Sequence, residues 1–94
     1  QLIVRFSGTS DSNQNTAYID ATVNNSDFNS VAQSSNLMVS NGQMTVIAQS
    51  FLDITDTSNC KIRFKVYAAA SNQQVLGNSS KNETYGTFIR LGDT

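Results

Sequence analysis

Apolar and polar residues alternate one by one over short stretches along most of the chain. Apolar residues nowhere recur at three-and-four spacing for the length of a helix, so the period of two predicts β-strands throughout. A weaker strand signal lies at Val75 and Leu76. The six stronger predicted strands are residues 2–7, 17–23, 36–40, 43–54, 60–70 and 84–91.

The pair Asn41-Gly42 is the strongest local turn signal, because a two-residue type I′ turn needs positive φ at both of its positions. It predicts a hairpin that places Val39 opposite Met44. The same register places Leu37 opposite Val46, so that the apolar residues of both strands share one face.

A polar connection at residues 55–59 predicts a second hairpin, whose turn is centred on Thr57. In the register that continues the apolar face, Leu52 lies opposite Ile62. On the other face, Asp53 lies opposite Lys61 as a pair of opposite charge. The two hairpins together predict a three-strand meander.

Six or more strands, each with one apolar face, cannot all bury that face in one flat sheet. We therefore expect two sheets packed face to face, in an all-β fold of about six to eight strands: an antiparallel, jelly-roll-like β-sandwich. The length of 94 residues and the hydrophobic content of 38% suit one domain with a modest core. Residues 1–94 are expected to form this single domain, as the C-terminal piece of a longer chain.

Uncharged polar residues dominate the composition, because Ser, Thr, Asn and Gln make up 40 of the 94 residues. The net charge is −1 and the chain contains no His, the side chain that most often performs acid–base chemistry near neutral pH. The basic residues Lys61, Arg63 and Lys65 alternate along one predicted strand, where they are interpreted as a solvated stripe. We expect no nucleic-acid partner.

Signatures of catalysis and of metal binding are incomplete. Residues 11–15 copy the first half of a calcium-binding loop, but Thr16 replaces the required glycine and Thr22 stands where a glutamate belongs. The single cysteine, Cys60, cannot build a zinc site without other ligands. No apolar run approaches the length of a membrane span. We expect no enzymatic activity, no cofactor, no metal site and no membrane insertion.

If the predicted strands alternate in direction, both termini lie at one end of the sandwich with loops 24–35 and 55–59. Loops 8–16, 41–42 and 71–83 then lie at the other end. These loops are rich in amide side chains, which can donate and accept hydrogen bonds without a charge to desolvate. Solvated turns without a ligand are the alternative interpretation. The candidate ligand-binding residues are Asn13, Gln14, Asn15, Asn41, Asn72, Gln73, Gln74 and Asn82.

Two segments and the composition carry resemblances to known families. The closing segment reads Tyr85-Gly86-Thr87-Phe88-Ile89-Arg90-Leu91-Gly92-Asp93, and the opening segment reads Val4-Arg5-Phe6-Ser7. They resemble the last and first strands of the tumour-necrosis-factor and complement globular-head jelly rolls. The enrichment in Asn, Ser, Thr and Gln, with no Trp, His or Pro, is similar to that of distal head domains of bacteriophage tail fibres and spikes. The second resemblance implies a small trimeric head that recognises a host-surface saccharide or protein.

We therefore expect a non-enzymatic receptor-binding head of a viral fibre or spike, located on the virion surface or outside the cell. Its expected partners are a host cell-surface saccharide or protein and further copies of the chain in a homotrimer. Two alternatives stay open: a virion structural or capsid decoration module, and a bacterial adhesin or carbohydrate-binding module. The absence of Trp counts against the carbohydrate-binding module, because such modules generally present aromatic rings to the sugar.

Overall fold

The computed structural model describes residues 1–8, 14–38, 41–70 and 72–92. Every regular element in this part of the chain is a β-strand, which confirms the predicted all-β class. The strands are β1 (Leu2–Gly8), β2 (Gln14–Thr22), β3 (Asn29–Leu37), β4 (Gly42–Ala48), β5 (Lys61–Tyr67), β6 (Gln73–Val75) and β7 (Tyr85–Gly86).

The strands form two antiparallel sheets, and the predicted β-sandwich is confirmed. In the first sheet the order is β4-β1-β6, and β7 also pairs with β1. In the second sheet the order is β3-β2-β5. Both β6 and β7 run along the same edge of β1, because β4 occupies its other edge. Residues 77–83 leave this edge between them, and the hydroxyl of Thr84 closes the excursion by donating to the carbonyl of Leu76 at 2.6 Å.

The hydrophobic core lies between the two sheets and follows from the alternation of apolar residues in β1 and β4. Burying one Val, Leu, Met or Phe side chain completely stabilises the folded state by about 1.5–3 kcal/mol, compared with leaving that side chain exposed to water. The inward residues of these strands meet β2 and the segment after β3. The buried core residues are Leu2, Val4, Phe6, Ala17, Ile19, Met38, Met44, Val46 and Ala48.

The predicted meander is wrong, because β3 and β4 lie in different sheets. Val46 pairs with Val4 of β1, and Leu37 pairs with Gln14 of β2. The chain crosses from one sheet to the other between β3 and β4, and Val39 lies outside the described residues. Pairing β4 with β1 also places apolar residues of both strands on one face, so it satisfies the same alternation as the predicted hairpin.

The turn signal at Asn41-Gly42 is borne out only in part. Asn41 adopts the left-handed conformation, with φ of 56°. No glycine within the described part of the chain has a positive φ, whereas a type I′ turn would require one at its second position. The pair therefore marks the start of β4 after a crossover, and it does not close a two-residue hairpin.

The second predicted hairpin is also absent from the structure. Residues 49–60 contain no strand, and β5 pairs with β2. Ile62 lies opposite Ala21 and Lys61 lies opposite Thr22, so neither pairs with the segment that follows β4. The predicted strand at residues 84–91 is reduced to the two residues of β7.

The sequence analysis placed residues 24–35 in a loop, but β3 begins at Asn29. This strand lies at the edge of the second sheet and most of its residues are exposed. Among them, Ala32 packs against the core. An edge strand needs a backbone partner on one side only and can remain polar, so the hydrophobic pattern did not reveal it.

The ends of the sandwich follow from the antiparallel pairing. Gly8, Gly42 and Gln73 lie together at one end of the first sheet, which we call the loop end. Leu2 and Ala48 lie at the opposite end, which we call the terminal end because Gln1 and residues 87–92 are also there. Thr55 and Thr57 line one cavity with Gln1, so their loop lies at the terminal end, as predicted. The rest of the predicted division holds only in part, because residues 29–35 belong to β3 and residues 77–83 leave β1 part-way along its edge.

The backbone of Gly86 lies against the ring of Phe64. A Cβ atom at position 86 would be 2.0 Å from Cε2 of that ring. Gly86→Ala is therefore expected to lower the free energy of unfolding by about 1–3 kcal/mol through overpacking, as measured by equilibrium urea unfolding. The matched control is Gly77→Ala, since no atom lies within 4 Å of the corresponding Cβ position. Equal stability of the two variants would contradict the close approach of β7 to β5.

Candidate functional site

A row of polar side chains crosses three neighbouring strands near the loop end of the first sheet. Ser7 of β1 pairs with Gln43 of β4 on one side and with Gln74 of β6 on the other. Directly opposed residues project from the same face of a sheet. Because the adjacent pair Phe6 and Met44 points into the core, the row of Ser7, Gln43 and Gln74 faces outward.

This row lines a cleft of about 290 Å³, which we call the amide cleft. The glycines at the ends of β1 and β4 are cross-strand partners and place no side chain in it. All of the lining residues are uncharged. They are Ser7, Gly8, Asn41, Gly42, Gln43, Asn72 and Gln74.

The side chain of Arg5 orders one wall of the amide cleft. Its Nη2 donates a hydrogen bond to Oε1 of Gln43, and its Nη1 lies 3.5 Å from Oε1 of Glu83. Gln43 is thus held through its oxygen. Considering only the residues that the structure describes, Nε2 of Gln43 and the carboxamide of Gln74 have no hydrogen-bond partner. These groups are available to a ligand.

Of the eight residues that the sequence analysis proposed for ligand binding, the structure brings Asn41, Asn72 and Gln74 together in the amide cleft. Gln14 is exposed at the start of β2, in the other sheet. Asn82 is exposed in the excursion of residues 77–83, away from the cleft. Asn13 lies outside the described residues.

The remaining two proposed residues are buried and do not present their amides at the surface. Asn15 is fully buried, and its Oδ1 accepts a hydrogen bond from the backbone N–H of Ala69 at 2.9 Å. It therefore ties the segment after β5 to β2. Gln73 points to the opposite face from Gln74 and fills the space beside Gly8. Its Nε2 and Oε1 are buried and find no hydrogen-bond partner among the described residues.

Sequence reasoning missed Ser7 and Gln43 as lining residues. Ser7 follows the apolar alternation of β1 and Gln43 precedes that of β4, so each lies at the loop end of its strand. Only the register of β1 against β4 shows that they are neighbours. The sequence shows both polar residues, but it does not show that they lie side by side, because that depends on the pairing of β1 with β4.

A second polar surface covers the outer face of the other sheet and is organised by Asp20. This carboxylate is buried under its partners, accepting hydrogen bonds from Ser30 Oγ at 2.6 Å and Arg63 Nη2 at 2.8 Å. Lys65 Nζ lies 3.3 Å from the same carboxylate. The hydrogen bond from Ser30, followed by that from Arg63, lowers the pKa of Asp20 to about 2.

The basic residues of β5 are exposed on this outer face, as a stripe at alternate positions. The carboxylate partner of Arg63 and Lys65 is Asp20. Lys61, which was predicted to oppose Asp53, instead donates a hydrogen bond to the side chain of Asn25. The guanidinium of Arg63 also stacks over the ring of Phe28 at 4.3 Å, and Lys65 Nζ lies 4.6 Å from the ring centre of Tyr18. Two of the three cations are thus engaged with one acidic group.

Comparison of the chain with protein-family models, with curated proteins and with solved structures finds no match. Within residues 1–8, 14–38, 41–70 and 72–92, no group of three or more His, Cys, Asp or Glu side chains is arranged to hold a metal ion. The same residues include no helix with the length and apolar character needed to cross a membrane.

Removing the carboxylate of Asp20 is expected to destabilise the protein at neutral pH. Asp20→Asn leaves two cations without their partner, and we expect the free energy of unfolding to fall by about 1–3 kcal/mol at pH 7. The pKa of Asp20 is lower in the folded chain than in the unfolded chain. Its contribution is therefore fully present above about pH 4 and is lost as the pH falls towards 2.

Urea unfolding of the wild type and of Asp20→Asn across this pH range measures the effect. The difference between the two proteins is expected to be constant near neutral pH and to shrink in acid. Asp53→Asn is the control, because this exposed carboxylate makes no hydrogen bond or ion pair with a described residue. A difference that persists unchanged at pH 2 would contradict the role assigned to Asp20.

Proposed function

We propose that this chain is a non-enzymatic recognition domain whose amide cleft binds a neutral saccharide on a cell surface, as the receptor-binding head of a viral fibre or spike. The observation that supports the proposal is the convergence of uncharged hydrogen-bonding side chains on one outward-facing cleft. The core residues Phe6 and Met44 lie directly behind the polar row and give it a rigid base.

The chemistry of the cleft suits sugar hydroxyls. Each carboxamide offers two N–H donors and one oxygen acceptor, and each Ser hydroxyl can both donate and accept. Neutral groups of this kind bind hydroxyls without the large cost of desolvating a charge.

The contact between Arg5 and Gln43 supports the same proposal. Ordering a long side chain on binding costs about 0.5–1.5 kcal/mol, and Arg5 already restrains the carboxamide of Gln43 before a ligand arrives. The ion pair with Glu83 partly neutralises the positive charge of Arg5 beside the cleft. The wall of the cleft is therefore partly preorganised for a neutral ligand.

The position of the cleft is also compatible with a fibre head. The cleft lies at the loop end, whereas Gln1 and residues 87–92 lie at the terminal end. A head that is joined to its fibre through the terminal end would present the cleft outward, towards a host surface.

The alternative of a virion structural or decoration module is favoured by a separate observation, the large apolar side chains exposed at the terminal end.

An array of immobilised neutral and acidic oligosaccharides tests the proposal directly. We expect the wild type to bind neutral oligosaccharides, and Gln74→Ala to weaken that binding roughly 3- to 10-fold through the loss of a hydrogen bond. Asn82→Ala is the matched control, because it removes an exposed amide outside the cleft. Both variants are expected to keep the wild-type melting temperature.

Two outcomes would contradict the saccharide assignment. One is the absence of binding of the wild type to any oligosaccharide on the array. The other is an equal loss of binding in Gln74→Ala and Asn82→Ala, which would show that the amide cleft does not contain the contact.

A further inference from the structure

Large apolar side chains are exposed around an open cavity at the terminal end of the sandwich. The cavity has a volume of about 1450 Å³ and lies between β5 and the irregular segments 49–57 and 87–92. Phe51 is 88% exposed and Ile89 is 76% exposed. We call this cluster the apolar mouth. Its members are Phe51, Leu52, Ile54, Phe88, Ile89 and Leu91.

The apolar mouth exists because the two sheets do not cover each other completely at this end. Strand β4 ends at Ala48, and the segment that follows it forms no strand. Ile62 and Phe64 of β5 also line the cavity and are only partly buried. The chain alone therefore leaves apolar surface in contact with water at the terminal end.

One segment of the mouth, residues 87–92, is anchored at its start to the body of the sandwich. The amine of Gln1 donates to the carbonyl of Thr87 at 2.9 Å, and the N–H of Thr87 donates back to the carbonyl of Gln1 at 2.7 Å. The ring of Phe88 lies 5.5 Å from the ring of Phe64, a normal separation for packed aromatic rings. These contacts fix Thr87 and Phe88 beside the N-terminus and β5.

The accessible surface of the chain is larger than that of a typical monomeric protein of the same mass, and the difference can be compared with the area that a partner would bury. The chain exposes 6240 Å², whereas a folded monomeric protein of 10.2 kDa exposes about 5,300 Å². The excess of about 900 Å² matches the roughly 800 Å² that each partner buries in a standard protein–protein interface. The radius of gyration of 15.0 Å likewise exceeds the about 12 Å expected for a compact domain of this length.

We propose that the apolar mouth is an interface between copies of this chain, so that a second copy covers it. Closed symmetry allows identical patches to bury one another, and most soluble oligomers are built in this way. The charged side chains of the lining are one acidic residue, Asp53, and one basic residue, Arg90, so the side chains of the mouth carry no net charge. Contiguous exposed apolar surface of this extent is typical of a protein–protein contact.

Analytical ultracentrifugation over a range of protein concentrations tests this interface. We expect the unmodified chain to sediment as an oligomer of identical subunits that dissociates on dilution. Phe51→Glu and Ile89→Glu are each expected to raise the dissociation constant on the order of 10- to 100-fold, because they place a charge in the buried contact. The matched control is Leu37→Glu, which changes an exposed leucine at the loop end and is expected to leave association unchanged.

Hydrogen exchange of the unmodified chain keeps the test independent of whether the glutamate variants fold. Amides in segments 49–57 and 87–92 are expected to exchange more slowly as the protein concentration rises, whereas those near Leu37 do not change. A chain that stays monomeric at all concentrations, with concentration-independent exchange at the mouth, would overturn the proposal. An oligomer that survives both glutamate substitutions at the mouth but is lost in Leu37→Glu would also overturn it. Gln74→Ala is expected to leave association unchanged, so the outcome does not depend on the amide cleft.

Discussion

The antiparallel pairing of β1 with β4 is the constraint on which the rest of the structure depends. It runs over seven consecutive pairs, from Leu2 opposite Ala48 to Gly8 opposite Gly42. On its inner face it buries Val4 against Val46 in the middle of the core. On its outer face it places polar residues side by side near one end, and because β4 stops at Ala48 it leaves the other end open.

Strand β2 imposes the matching constraint on the second sheet, because both of its faces are largely buried. Ala17 and Ile19 face the core, while Asp20 is buried on the outer face by Ser30 and the basic residues of β5. A slip of one residue would turn Asp20 into the core without its partners. The cost of burying this carboxylate is thus offset in one register only, which favours the observed pairing of β2 with β5.

Alternation in the sequence was sufficient to predict the class of the fold and most of its strands, but it could not choose partners for them. Val46 opposite Leu37 and Val46 opposite Val4 both place apolar residues on one face, so the local pattern is the same in the wrong hairpin and in the observed ladder. The choice depends on how the two sheets cover each other, which is a property of the whole chain. The polar edge strand β3 gave no hydrophobic signal at all.

The candidate site was predictable to a similar degree. A richness of amides in the predicted loops was enough to single out Asn41 and Gln74, but the same criterion also selected Asn15, which is buried. The same reasoning could not separate Gln73 from Gln74, since neighbouring residues of a strand point to opposite faces and the predicted strand there began at Val75. Ser7 and Gln43 became part of the site only through the ladder of β1 with β4.

Disulfide trapping is the most direct test of that ladder. In a Cys60→Ser background, Ile3→Cys combined with Ile47→Cys is expected to form an intramolecular disulfide, because paired residues of adjacent strands lie about 4.5–5.5 Å apart at Cα. Leu37→Cys combined with Val46→Cys is expected to remain reduced, because these residues belong to different sheets. A disulfide between positions 37 and 46, with none between positions 3 and 47, would contradict the account.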